Sequence, residues 1–239
     1  MHRRRRFHLN RGDRRAVSAL PVLVMMARRP EAGRVKTRLC PPLTPAQAAT
    51  LYAAFLRDLV DLVRVVPGVQ PLIAYAPAEA GDYFAALAPA IARRPQTGAD
   101  LGERLAAVTD AVLGEGAPAV LVIGSDSPSL PPAQITQAVA ALAGGADLVL
   151  GPAEDGGYYL VGLRRPAPAL FTEVPMSTPT VLRDTLAVAE RLGLRTALID
   201  PWYDIDTIAD LHRLRADPAP LRHTRPVLAA VLASLAEER

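Results

Sequence analysis

Short aliphatic runs alternate with longer stretches of helical period along the chain. Val22–Ala27 is the first run and predicts a strand, while Val120–Ile123 suits a strand buried on both faces. Between them, Thr44-Pro45-Ala46-Gln47 reads as a capping box with proline at the first helical position. The spacing of Leu51, Phe55, Leu59, Leu62 and Val66 predicts a helix running to about Val65. Further strands are expected at Leu72–Tyr75, Ala90–Arg93, Asp147–Gly151, Tyr158–Leu163 and Thr196–Ile199. Helices are expected over Glu79–Leu87, from the loop Gln96–Leu105 through Leu113, and over Ala133–Leu142. Two more run from a Thr178-Pro179 cap to Leu192 and from the neighbourhood of Thr207, where Asp210 suits the first turn. The tight turn Asp155-Gly156-Gly157 predicts that the strands on either side of it pair antiparallel. Val227–Leu235 reads as an amphipathic helix packed on the domain or on a second subunit. Strands alternating with helices imply an α/β sandwich with a mostly parallel sheet.

Composition narrows the class. At 239 residues the chain is long enough for one large domain with a proper core, and half of its residues are hydrophobic. No apolar stretch approaches the length of a membrane span. Cys40 is the only cysteine, and His2, His8, His212 and His223 are scattered, which speaks against a disulfide framework and against a Cys- or His-based metal site. A reducing, cytoplasmic setting is expected. The net charge of +3 is unevenly placed: residues 1–15 hold seven arginines against Asp13, a net of +6, which leaves −3 for the rest. The body has no basic stripe for nucleic acid, so none is expected as a partner. The first 20 residues read as a basic, disordered tail that resembles a signal peptide until Pro21 interrupts it, residues 21–217 as the main domain, and 218–239 as the terminal helix segment.

Candidate chemistry gathers at loops that follow strands. In "AVLVIGSDSPSLPP" the apolar run stops at Gly124, and Asp126 follows inside a Ser- and Pro-rich turn. A carboxylate at the carboxyl edge of an open α/β sheet stands where such sheets bind ligands, and beside a nucleotide it would hold a divalent metal. The alternative is a local role, capping the next helix or fixing the turn. After the first strand, "RRPEAGRVKTRL" places Arg28, Arg29, Arg34, Lys36 and Arg38 around a flexible Gly33, which suits a polyphosphate cradle or a solvated basic loop. It has neither P-loop nor dinucleotide-fingerprint spacing. Of 27 basic residues, 26 are arginine and only Lys36 is lysine, which hints at a position needing a compact ammonium. Asp155-Gly156-Gly157 allows either close ligand approach or positive φ, and Asp204, Asp206 and Asp210 cluster about the last predicted strand–helix junction.

Together, "AGRVKTRL", "QTGADLGERL", "IGSDSPSLP", "GPAEDGGYYLVGL" and "DIDTIADL" resemble one family. It is the family of bacterial glycosyltransferase-like proteins called rSAM/selenodomain-associated transferases, relatives of which serve arsenosugar biosynthesis. The resemblance spans about Val22 to Leu214 with all five motifs in order. It implies the GT-A, nucleotide-diphospho-sugar transferase-like fold, a three-layer α/β/α sandwich. The 2-phospholactate guanylyltransferases of the deazaflavin cofactor pathway share its first-loop and Gly-rich patterns. One departure is visible: family members tend to have Trp-Ser-Thr where this chain reads Met176-Ser177-Thr178.

The resemblance implies roles by position. The first loop would wrap the nucleotide through Arg28, Gly33 and Arg34, with Lys36 and Arg38 on its phosphates. Gln96, Gly102 and Arg104 would line the base and ribose, with Ser125 also on the nucleotide side. Asp126 would hold Mg²⁺ or Mn²⁺, with a second carboxylate supplied by Asp206 in preference to Asp204, because the chain reads Asp126-Ser127-Pro128 where the fold keeps a DxD-type pair. Gly156, Gly157, Tyr158, Ser177 and Thr178 would face sugar or acceptor, with Asp155 a candidate general base. The implied activity is a metal-dependent glycosyltransferase taking a nucleotide-sugar donor and a small-molecule acceptor, either alone or as a homodimer. The alternative is a nucleotidyltransferase moving NMP from an NTP to a small phosphorylated or acidic acceptor.

Overall fold

The computed structural model describes residues 20–237. The arginine-rich tail therefore lies outside the described residues. Strands and helices alternate from the start: β1 Val22–Arg28, α1 Pro45–Val65, β2 Gln70–Ala76, α2 Gly81–Leu87, β3 Ala92–Pro95 and α3 Leu101–Gly114. β4 Val120–Ile123, α4 Pro132–Ala143, β5 Leu148–Pro152, β6 Tyr158–Leu163 and the short α5 Ala169–Thr172 follow. α6 Val181–Arg191, β7 Thr196–Leu198, α7 Ile208–Ala216 and α8 Thr224–Glu237 complete the described chain.

The strands form one seven-stranded sheet in the order β3-β2-β1-β4-β6-β5-β7. β1 pairs in parallel with both β2 and β4, whereas β6 runs antiparallel to its neighbours β4 and β5. The Asp155-Gly156-Gly157 turn thus makes the expected hairpin, and β6 is the one reversed strand of the sheet.

The central strands are buried on both faces, which explains their continuous apolar runs. In β1, Leu23, Met25 and Ala27 face the layer made by α1, α2, α4, α7 and α8, whereas Val24 and Met26 face α3, α5 and α6. β4 repeats the alternation, with Leu121 and Ile123 on the first face and Val120 and Val122 on the second. The result is the three-layer α/β/α sandwich that the family resemblance implies.

Local signals set several boundaries. Thr44 and Gln47 complete the capping box of α1, with Pro45 at the first helical position. Asp100 caps α3 by accepting from Glu103 N at 2.8 Å. At α7, Thr207 and Asp210 form a reciprocal box, so Asp210 serves helix capping and not the site. Two boundaries are corrected. β3 lies two residues later than expected, because "ARRP" is a mostly exposed edge strand with no apolar alternation to mark it. α6 begins at Val181 after Thr180; Thr178 does not cap it but donates to the Pro175 carbonyl at 3.2 Å.

α8 packs on α1 and α7 of its own chain, with Leu228 and Val231 buried. Asp58 of α1 accepts from the backbone N–H groups of His223 and Thr224 at 3.0 and 2.7 Å, satisfying donors at the start of α8. Asp58, Asp61 and His223 come close enough to suggest a metal cluster. Asp58 already has both oxygens committed to backbone donors, so this cluster reads as a helix cap.

Candidate active site

β1 sits between β2 and β4, so consecutive crossovers leave it in opposite directions and open a crevice at their carboxyl ends. Two loops meet there: the basic loop after Arg28 and the Gly124–Leu130 turn after β4. Position in the topology brings them together, although nearly a hundred residues of sequence separate them.

The turn after β4 is fastened by its serines. Ser125, Ser127 and Ser129 are all buried, alternating with Asp126 and Pro128. Ser125 Oγ lies 2.7 Å from the Tyr52 hydroxyl, which also accepts from Arg28 N at 3.1 Å. Ser127 donates to Asp204, and Ser129 donates to the Tyr203 hydroxyl at 3.2 Å. The Asp126 carbonyl accepts from Ile205 N at 3.0 Å, drawing the late "DIDT" segment against the turn. With its neighbours tied inward, the Asp126 side chain stands half exposed in the crevice.

Lys36 completes the arrangement. Its ammonium donates to the Ile205 carbonyl at 2.6 Å and lies 2.6 Å from Asp126 Oδ1 and 3.5 Å from Asp206 Oδ1. Arg38 reaches the other Asp206 oxygen at 3.0 Å. Two carboxylates and a carbonyl thus converge on one cation. Hard oxygen donors of this kind are also what Mg²⁺ and Mn²⁺ take, so the residue set fits a divalent metal, with the ammonium as stand-in.

Asp204 is a third carboxylate beside this pair. Burial pushes its pKa up to about 6, assisted by the charges of Asp126 and Asp155, while the Ser127 hydrogen bond and Lys36 oppose the rise. A carboxyl with a raised folded-state pKa binds its proton more tightly when folded, so its ionisation weakens the fold. That penalty is absent below the unfolded pKa of ~4, grows as pH rises, and is full above about 6. Asp204→Asn, which can still accept from Ser127, should therefore gain about 2–3 kcal/mol at pH 8 and nothing near pH 4. Urea denaturation of both proteins at the two pH values measures this.

On the β1–β2 side lies a cleft of about 300 Å³ lined by Arg28, Arg29, Glu31, Arg34, Glu79 and Arg104, with Ala76 and Pro77. Arg29 pairs with Glu31 at 3.6 Å, and Arg104 donates through Nε to the Gly98 carbonyl at 2.9 Å. Among the described residues Arg28, Arg34 and Arg104 have no carboxylate partner, so the cleft is an electropositive recess suited to anions. Gly33, at φ 75° with open space around it, lets the loop turn over this cleft.

Gln96 anchors the floor. Its side-chain amide donates to the carbonyls of Ala27 and Ala74 at 3.2 and 2.8 Å, bridging the ends of β1 and β2. Gly102 is placed by packing: a Cβ there would stand 2.3 Å from the Phe171 carbonyl of α5. That contact accounts for the glycine without a nucleotide.

The DGGY and Ser177-Thr178 motifs form a second group. Asp155 accepts from Gly157 N at 2.9 Å and holds the hairpin turn. Leu182 N donates to the Gly156 carbonyl at 3.0 Å, bringing the turn against the start of α6. Tyr158 is turned toward that region, its hydroxyl 3.9 Å from Met176 Sδ, and burial pushes its phenol up to about 12. Ser177 is exposed, with φ 64°. Trp202 N donates to the Pro152 carbonyl at 3.0 Å, so the segment running to Asp204 and Asp206 lies between the two groups. Arg213 grips Glu154 through both nitrogens, at 2.6 and 2.9 Å, and stacks on Tyr203.

The sequence points to Lys36, Asp126 and Asp206, which converge, and offers Asp204 as the alternative acid, whereas Tyr52, Ser127 and the Ile205 carbonyl carry no such signal. The period-two serines around Asp126 are the one sequence signal for this inward hydrogen bonding.

A mostly parallel sheet with a reversed strand, and an acid-and-arginine crevice at its switch point, define a protein of the nucleotide-diphospho-sugar transferase fold. Residues 59–178 match the family described as "Uncharacterized protein conserved in bacteria (DUF2064)", and the chain belongs to that family. A "putative nucleotide-diphospho-sugar transferase" from Desulfovibrio desulfuricans G20 is 30% identical, with a TM-score of 0.81 over 90% of this chain and 97% of that one. CMP:2-keto-3-deoxy-manno-octonic acid synthetase, solved with CTP, shares the fold at 14% identity, with a TM-score of 0.55 over 83% of this chain and 98% of that one. A 4-diphosphocytidyl-2C-methyl-D-erythritol synthase from Anaerococcus prevotii DSM 20548 does so at 10% identity and a TM-score of 0.55, over 82% of this chain and 95% of that one. No curated protein sequence matches the chain. Its structural neighbours are transferases, and no helix among the described residues is long and apolar enough to cross a membrane.

Proposed function

We propose that this chain is a metal-dependent glycosyltransferase that takes a nucleotide-diphospho-sugar donor and a small-molecule acceptor. The observation that carries the reading is the convergence of Asp126, Asp206 and the Ile205 carbonyl on one cation, beside a recess where Arg28, Arg34 and Arg104 have no carboxylate partner among the described residues. Breaking the sugar–phosphate bond leaves negative charge on a nucleoside diphosphate, and that charge must be neutralised as it develops. Asp126 and Asp206 would hold Mg²⁺ or Mn²⁺, which supplies Lewis-acid stabilisation of the leaving phosphates when bound.

The chain's own residues supply the remainder. Arg28, Arg34 and Arg104 receive the anionic part of the donor, and Arg38 reinforces Asp206. Tyr52 and Ser125 keep the two loops in register beneath it. The turn at Asp155–Tyr158, with Ser177 and Thr178, frames the acceptor side, where the exposed Asp155 takes a proton from the attacking hydroxyl. The five motifs favour the rSAM/selenodomain-associated branch, working in the cytoplasm.

A second reading has its own support. The two acids come from separate segments, after β4 and before α7, instead of one DxD motif. That division suits a nucleotidyltransferase moving NMP from an NTP, as the names of the fold relatives solved with CTP or named for cytidylyl chemistry also suggest. Turnover assays separate the two: nucleoside diphosphate released from a sugar nucleotide supports the first reading, and pyrophosphate released from an NTP supports the second. Release of neither in the presence of Mn²⁺ and a broad acceptor mixture counts against both.

A further inference from the structure

Lys36 is the chain's single lysine, and its ammonium is committed to protein oxygens. Its side chain is 3% exposed and lies over the Phe55 ring at 5.8 Å. The backbone at Lys36 has φ 48°, in the left-handed region that side chains with a Cβ rarely adopt. Buried Val35 and Leu39 flank it and pin the loop on either side. The chain therefore accepts backbone strain to aim this ammonium inward.

A lysine arranged to meet phosphate in the free protein would hold its ammonium in the open cleft. Here the cleft is furnished with arginines, while Lys36 occupies the place among hard oxygens that a divalent cation would take. Metal entering alone would have to take the carboxylates from a side chain that is 3% exposed, leaving its ammonium without an anionic partner.

We infer that Lys36 is a built-in counter-ion that keeps free metal off the Asp126–Asp206 pair and releases the pair when phosphates offer its ammonium a replacement anion. The inference rests on the donor-site reading above. It makes metal and phosphate binding mutually reinforcing, each strengthening the other by the same factor. Metal would then arrive with the nucleotide and not before it.

The test is Mn²⁺ binding without nucleotide, read by the electron paramagnetic resonance signal of free Mn²⁺ and by calorimetry. Wild type, Asp126→Asn, Lys36→Met and the double variant are compared as full chains. The wild type is then titrated again with inorganic pyrophosphate, against a protein-free control. Lys36→Met is expected to bind Mn²⁺ about tenfold or more tightly than wild type, because one positive charge beside the site has gone. The double variant should lose that gain, and pyrophosphate should tighten Mn²⁺ binding in wild type more than in Lys36→Met. Lys36→Gln, whose amide can still donate to the Ile205 carbonyl, is read the same way, so poor folding of one variant does not decide the result. Equal Mn²⁺ affinity in wild type and Lys36 variants, dependent on Asp126 in each, overturns the counter-ion role and leaves the donor-site reading standing. Failure of every protein to bind Mn²⁺ in an Asp126-dependent way, with or without pyrophosphate, overturns both.

Discussion

Replacing Asp126 by asparagine is expected to lower turnover by about 10²–10³-fold, the cost of removing one preorganised electrostatic contact to a developing charge. The fold should survive. Asp126 is half exposed, and the Lys36 ammonium keeps the Ile205 carbonyl and the Asp206 carboxylate, while asparagine can still accept from it. A stability change within about 2 kcal/mol is therefore expected by urea denaturation. The change should appear in kcat as much as in kcat/KM, because the contact matters most where charge develops in the transition state. Loss of activity with an unchanged melting profile separates a site residue from the turn-fixing role that the sequence leaves open for Asp126.

Gly156→Ala should act on both stability and chemistry. Gly156 has φ 90°, and a Cβ there would stand 2.0 Å from the Pro179 carbonyl oxygen. No side-chain rotation relieves a clash between Cβ and backbone, so either the hairpin turn or the start of α6 must move. The Leu182 N–H bond to the Gly156 carbonyl, at 3.0 Å, goes with it. Strain and the lost bond together are expected to cost about 3 kcal/mol, measured by urea denaturation. Asp155, Gly157 and Tyr158 would shift with the turn, so acceptor KM should rise while binding of the donor nucleotide stays near its wild-type value.

These two residues show how differently the sequence exposes its information. The buried run of β4, the capping box of α1 and the hairpin at Gly156-Gly157 depend on neighbours in the chain, and their signals are local. β3 is less legible because an exposed edge strand reading "ARRP" needs no apolar pattern. At the site, Lys36 stands out by composition and Asp126 by its place after a buried strand, yet their contact is set by the topology that puts β1 beside β4. Asp206 reaches Lys36 and Arg38, whereas Asp204 turns to Ser127. Nothing in "DIDT" alone says which acid faces inward. Tyr52 lies mid-helix on an apolar face, and only the tertiary structure shows its hydroxyl joining Ser125 to the Arg28 backbone.

The measurement that bears most directly on the account is a thermal-shift series on wild type and Asp126→Asn. Nucleoside-diphospho-sugars and nucleoside triphosphates of each base are tested with Mn²⁺, with Mg²⁺ and with EDTA. A ligand at about 100 times its Kd stabilises the folded state by about 2.7 kcal/mol, a shift of a few degrees for a domain of this size. The account predicts such a shift with at least one sugar nucleotide in Mn²⁺ or Mg²⁺, abolished by EDTA and by Asp126→Asn. A shift confined to triphosphates selects nucleotidyl transfer. A shift of equal size in metal and in EDTA, or no shift with any nucleotide, would contradict it.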